Sequence, residues 1–223
     1  MTAPMPVPVQ SLRLADAREA DDLAAFLARL IHYDRAAAVR LVGQGGGAVA
    51  VFGRPPSFEV LAIRTARLAE PVELDVTVSA GELLESVRGA EFAVPGTVTG
   101  PPWAGLLPPR GGWTEAPGLP GAQEMRGAVT AAVAEFRARD EALPAERRTR
   151  AERDRIGREI WSRDVGGTGL PLRAVHAAQS LGFLRPGVPV ALLSSGAWLR
   201  LRTPYGSVAL RRSGFGGLTV TPR

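Results

Sequence analysis

The chain contains no cysteine, no lysine and no asparagine, and its final 59 residues, 165–223, contain no aspartate or glutamate. Without cysteine there is no disulfide, no thiolate nucleophile and no cysteine-built metal site. Without lysine there is no Schiff-base chemistry and no phosphate-loop lysine. All 27 basic residues are arginines, so every side-chain cation other than histidine is a planar guanidinium suited to two-pronged binding of carboxylate or phosphate. Histidine is scarce as well, and a nucleophile–His–acid triad would have to use His32 or His176. No serine stands in a G-x-S-x-G elbow, no metal-ligand spacing is present, and the acidic pairs Asp21–Asp22 and Asp140–Glu141 read as solvated helix-surface carboxylates. No apolar run approaches the length of a membrane span, and MTAPMPVPVQ lacks the basic stretch and apolar core of a secretory signal. These absences predict a cytoplasmic protein that is not an enzyme and has no cofactor, no metal site and no membrane contact.

What is present is unevenly distributed. Residues 1–100 hold nine arginines against twelve acids, and residues 101–223 hold eighteen against ten. Within the acid-free segment stand Arg173, Arg185, Arg200, Arg202, Arg211, Arg212 and Arg223. A segment of one sign costs self-repulsion and adds nothing to folding, so it points towards an anionic partner. A GC-rich coding bias accounts for the missing lysine and asparagine, but not for the missing acids.

The hydrophobic pattern predicts an α+β fold, with antiparallel meander sheets packed on amphipathic helices. SLRLAD (11–16) reads as a strand. Asp16 then caps a helix with Glu19 as its capping-box partner, and Leu23, Phe26, Leu27, Leu30 and Ile31 form the apolar stripe. AVRLVG (38–43) and AVAVFG (48–53) read as two strands joined by a QGGG hairpin, followed by strands at 58–68 and 72–79. Ser79 and Glu82 open a short helix. The N-terminal unit, 10–95, is thus β-α-β-β-β-β-α. A Pro/Gly/Trp-rich loop or linker, 96–121, separates it from 122–223, where central helices at 122–142, 145–164 and 172–183 precede a basic C-terminal β-meander at 188–193, 198–202, 207–212 and 218–221. In the second of these helices, Glu146–Arg150, Asp154–Arg158 and Glu159–Arg163 stand four residues apart and predict pairs within the helix.

Two stretches carry the candidate site. If the strands at 198–202 and 207–212 pair, Trp198, Arg200, Arg202 and Arg211 share one face, with Arg212 beside them and Arg173 on the helix before. Guanidinium groups beside an aromatic ring suit nucleic acid, phosphate meeting arginine and base meeting ring. The alternative is a solvated sheet face with arginine resting on tryptophan. The second stretch, PPWAGLLPPRGGW (101–113), brackets Arg110 between Trp103 and Trp113. It reads either as a loop presenting these residues to an acidic protein partner or as a strap covering the core. Neither stretch sets an oligomeric state.

Two resemblances follow. The helices from 122 to 183 and the 188–212 hairpin are similar in order to a winged helix, which would make Arg173, His176, Gln179 and Ser180 the reading residues. The composition and the Arg-rich helices resemble uncharacterised proteins of high-GC actinobacteria, a resemblance that implies no activity.

Overall fold

The computed structural model describes residues 10–212. The Pro-spaced tail at 1–9, the strand at 218–221 and Arg223 lie outside the described residues. The fold is α+β. In chain order its elements are β1 (Ser11–Arg13), α1 (Ala17–Tyr33), β2 (Ala38–Gly53), β3 (Leu61–Ser79), α2 (Ala80–Ser86), β4 (Glu91–Ala93), β5 (Thr114–Ala116), α3 (Ala122–Glu141), α4 (Arg150–Trp161), α5 (Leu172–Ser180), β6 (Ala191–Ser195), β7 (Trp198–Thr203) and β8 (Gly206–Arg211).

The N-terminal meander expected from four short strands is two long ones. QGGG is no hairpin turn. It lies inside β2, where the register with β3 shifts twice between Gln44 and Ala48. Residues 68–71 of β3, including Pro71, lie opposite this break, and Leu68 bridges Leu14 instead. Glycine and proline here mark an irregularity that bends a ribbon, which local sequence cannot tell from a turn. The short strands β4 and β5 are additions to the expected order; β4 pairs β1 and β5 pairs β6. β1 and β4 form a two-stranded sheet, and the remaining strands form one antiparallel sheet in the order β2-β3-β8-β7-β6-β5. Its β3–β8 pairing, Leu61 to Ala209 and Ile63 to Ser207, joins the N-terminal and C-terminal strands.

The inner face of this sheet packs on helices. Leu23, Phe26, Leu27 and Leu30 of α1 are fully buried, and Phe26 stacks on Phe183 at 5.5 Å. Asp16 caps α1 by accepting from the Glu19 amide at 3.0 Å. The reciprocal half of the expected capping box is absent because the Glu19 carboxylate goes to Arg64 and Arg67 of β3. Ser79 accepts from the Glu82 amide and caps α2.

The charges of α4 also pair differently from their spacing. Arg139 of α3 makes a two-pronged contact with Glu159 at 2.8 Å on each prong, and Arg163 holds Glu135 at 2.5 and 2.6 Å. These bonds clamp α3 to α4. In α5 no residue is exposed: Leu172, Ala174, Val175, Ala177 and Ala178 are buried, and His176 lies between Trp161 at 4.4 Å and Phe58 at 5.0 Å. A helix with no open face cannot lie in a DNA groove, so the winged-helix reading of α5 fails.

Candidate functional site

Directly opposed residues of an antiparallel ladder point to the same side of the sheet. Trp198 opposes Arg211, Arg200 opposes Ala209, and Arg202 opposes Ser207. Trp198, Arg200, Arg202 and Arg211 therefore share the outer face, while Leu199, Leu201, Val208 and Leu210 fill the inner one. Arg202, Arg211 and Arg212 are exposed. Arg200 is half-buried and donates to the Ser207 hydroxyl at 2.8 Å, with its guanidinium 5.8 Å from the Trp113 ring centre. Burial, reinforced by the neighbouring Arg202, lowers its pKa from the ordinary arginine value. Among the described residues no carboxylate lies within 4.0 Å of Arg200, Arg202, Arg211 or Arg212. The same-face acid Glu115 opposes Leu193, a strand beyond Arg200.

Residues 97–113 cross this outer face. The Val98 amide donates to the Thr77 carbonyl at 2.9 Å, Arg40 donates to the Ala104 carbonyl, and the Ser195 hydroxyl donates to the Gly111 carbonyl at 3.3 Å. Trp113 folds back through its indole N–H onto the Pro109 carbonyl at 2.9 Å. Anchored on β2, β3 and β6, the segment places Trp113 over Arg200 and Trp103 in a groove at the end of the sheet. Arg110 is exposed elsewhere, close to Asp75, whose carboxyl is held below its usual value by the hydrogen bond from Arg40, with Arg40 and Arg110 adding attraction.

The end groove, of about 440 Å³, gathers Trp103, Trp198, Arg173 and Arg211. Four of the residues singled out in the sequence thus meet, drawn from two stretches that the sequence leaves unconnected. Arg200, Arg202 and Arg212 are not among its lining residues, nor are Arg110 and Trp113. Three groove residues escaped the sequence reading: Arg54, Glu59 and Leu106. Leu106 is 52% exposed, more than any other large apolar side chain among the described residues. Glu59 adopts φ 54°, ψ 36°, the one positive φ outside glycine among the described residues. A left-handed glutamate is uncommon and its strain has to be offset by its surroundings. The buried Nε of Arg173 faces the Glu59 carboxylate at 3.5 Å, an ion pair that falls short of hydrogen-bond geometry. Nothing in the local pattern announces these three; Arg54 is flagged only by the two prolines behind it.

Among the described residues no helix is long and apolar enough to cross a membrane. Residues 7–105 match a family model described as Domain of unknown function (DUF8010), and residues 108–215 match one described as Domain of unknown function (DUF8185). Neither description carries an activity. No curated protein matches the chain. The two matched segments meet inside the strap, and both supply the groove: Arg54 and Trp103 come from the first, Arg173, Trp198 and Arg211 from the second.

Proposed function

We propose that this chain is a non-catalytic, cytoplasmic binding protein whose outer sheet face holds nucleic acid. The observation that carries the reading is the β7–β8 pairing. It sets Arg202 and Arg211 on one face, with Trp198 directly across from Arg211 and no carboxylate among the described residues near either arginine. Arg202, Arg211 and Arg212 supply phosphate contacts, and Trp198 supplies a ring for a base. Arg200, tied to Ser207 and lying near Trp113, stiffens the centre of the face and adds charge to it. Contacts of this kind favour backbone over sequence, so binding is salt-sensitive and weakly selective.

The test is fluorescence anisotropy of labelled single- and double-stranded oligonucleotides with the wild type and an Arg202→Ala/Arg211→Ala/Arg212→Ala variant. Binding by the wild type and its loss in the variant support the reading. Absence of binding at low salt overturns it. A second reading, docking of an acidic protein, rests on Leu106 standing exposed beside Trp103 at the edge of the same basic face. In that case an acidic protein is captured, a Leu106→Ala change weakens the capture, and oligonucleotides do not compete for it.

A further inference from the structure

We infer that the groove between the strap and the end of the sheet binds one nucleoside phosphate unit. The inference rests on the nucleic-acid reading of the adjoining face and deepens it, because Trp198 and Arg211 belong to both. Three guanidinium groups, from Arg54, Arg173 and Arg211, line the groove together with the rings of Trp103 and Trp198. A volume of about 440 Å³ lies within the range of small-molecule sites, roughly 300–1,000 Å³. Cation and indole together select an anion that carries a flat ring, because phosphate alone leaves the indoles idle and an apolar ring alone leaves Arg54 and Arg211 without an anion.

Glu59 narrows the class further. A carboxylate repels a bare anion, and Glu59, already facing the Arg173 Nε at 3.5 Å, still has exposed acceptor oxygens that favour a ligand which also donates hydrogen bonds. The hydroxyls of a sugar or the amino group of a base do so, whereas inorganic phosphate or sulfate meets only repulsion there. The left-handed backbone of Glu59 keeps this carboxylate at the groove in spite of the strain. The unit can be a free mononucleotide or the phosphorylated end of a strand lying on the β7–β8 face; the recognition chemistry is the same.

Isothermal titration calorimetry of the whole chain with adenosine 5′-monophosphate, adenosine and inorganic phosphate tests this. The monophosphate is expected to bind at least tenfold more tightly than either fragment. Arg54→Ala, an exposed position whose loss leaves the core untouched, is expected to weaken it about tenfold, and Trp103→Ala likewise. Arg202→Ala/Arg212→Ala, which lie off the groove, are expected to leave it unchanged while reducing oligonucleotide affinity. That contrast separates failure of the groove from failure of the face. Equal affinity for the monophosphate and inorganic phosphate overturns the proposal, as does indifference to both Arg54→Ala and Trp103→Ala. Displacement of the monophosphate by a 5′-phosphorylated oligonucleotide, and not by its 5′-hydroxyl form, identifies a strand end as the source; absence of displacement by either identifies the free nucleotide.

Discussion

Trp198 stands directly opposite Arg211 in the β7–β8 ladder, on the outer face and at the rim of the groove. The pair puts a ring and a guanidinium side by side, so a nucleotide that stacks on the indole brings its phosphate within reach of the arginine. Trp198→Ala is expected to weaken oligonucleotide binding by about 1–3 kcal/mol, the usual worth of one base–aromatic stack. Trp161→Phe is the control, because Trp161 stacks on His176 away from this face. Anisotropy titrations of the two variants check the contrast.

Arg64 is a buried cation of β3, its side chain only 7% exposed. It donates to Glu19 at 2.9 Å, to Asp22 at 3.2 Å and to the Tyr205 carbonyl at 3.1 Å, tying α1 to the turn before β8. Removing one partner of a buried ion pair leaves the other charge without compensation. Arg64→Ala is therefore expected to cost about 3–5 kcal/mol, read as a lower midpoint in urea unfolding. Arg150→Ala, which removes an exposed 3.8 Å pair with Asp154, is expected to cost at most about 1 kcal/mol.

Acid loosens the α3–α4 clamp in a defined window. Hydrogen bonds from Arg163, and then from Arg139, lower the Glu135 carboxyl from 4.5 to about 2. A depressed carboxyl contributes stability that is fully present above its unfolded value and is lost as pH falls through the folded one. The Glu135 contribution is thus expected to fade between about pH 4.5 and pH 2. Comparing urea midpoints of wild type and Glu135→Gln at pH 7, 4 and 2 checks it: the gap between them closes as the pH drops.

Gly182 ends α5 in a left-handed turn at φ 77°. Its amide donates to the Gln179 carbonyl at 3.0 Å and the Phe183 amide donates to the Ala178 carbonyl at 2.8 Å, the two bonds of a Schellman cap. An alanine Cβ would also meet the Arg29 guanidinium carbon at 2.9 Å. Gly182→Ala is expected to destabilise by about 1–2 kcal/mol, measured by thermal or urea unfolding, the cost of a left-handed residue with a Cβ.

Much of this was readable from the chain. The stripe of α1, the caps by Asp16 and Ser79 and the outward arginines of β7 follow from spacing alone, because each depends on residues within a turn or a strand of one another. The failures share a physical cause. QGGG and the Pro71 region look like turns, yet both lie within long strands, since the β2–β3 pairing absorbs them as a bulge. Glu135, Arg139, Glu159 and Arg163 stand at helix spacing within their own segments, but the two-pronged bonds run between α3 and the end of α4, and of the within-segment pairs only Glu135–Arg139 forms, as a single 3.3 Å contact. The groove was illegible as a unit because Arg54, Glu59, Trp103, Arg173 and Trp198 are brought together only by the β3–β8 pairing and the path of the strap.

The most direct measurement of the central claim is the salt dependence of oligonucleotide affinity, plotted as the logarithm of the binding constant against the logarithm of salt concentration. Contacts from Arg202, Arg211 and Arg212 predict a slope of about −2 on a single strand, falling in magnitude by about 0.7 for each of these arginines replaced by alanine. A flat line for the wild type, or a slope that the three replacements leave unchanged, contradicts the assignment of this face to nucleic acid.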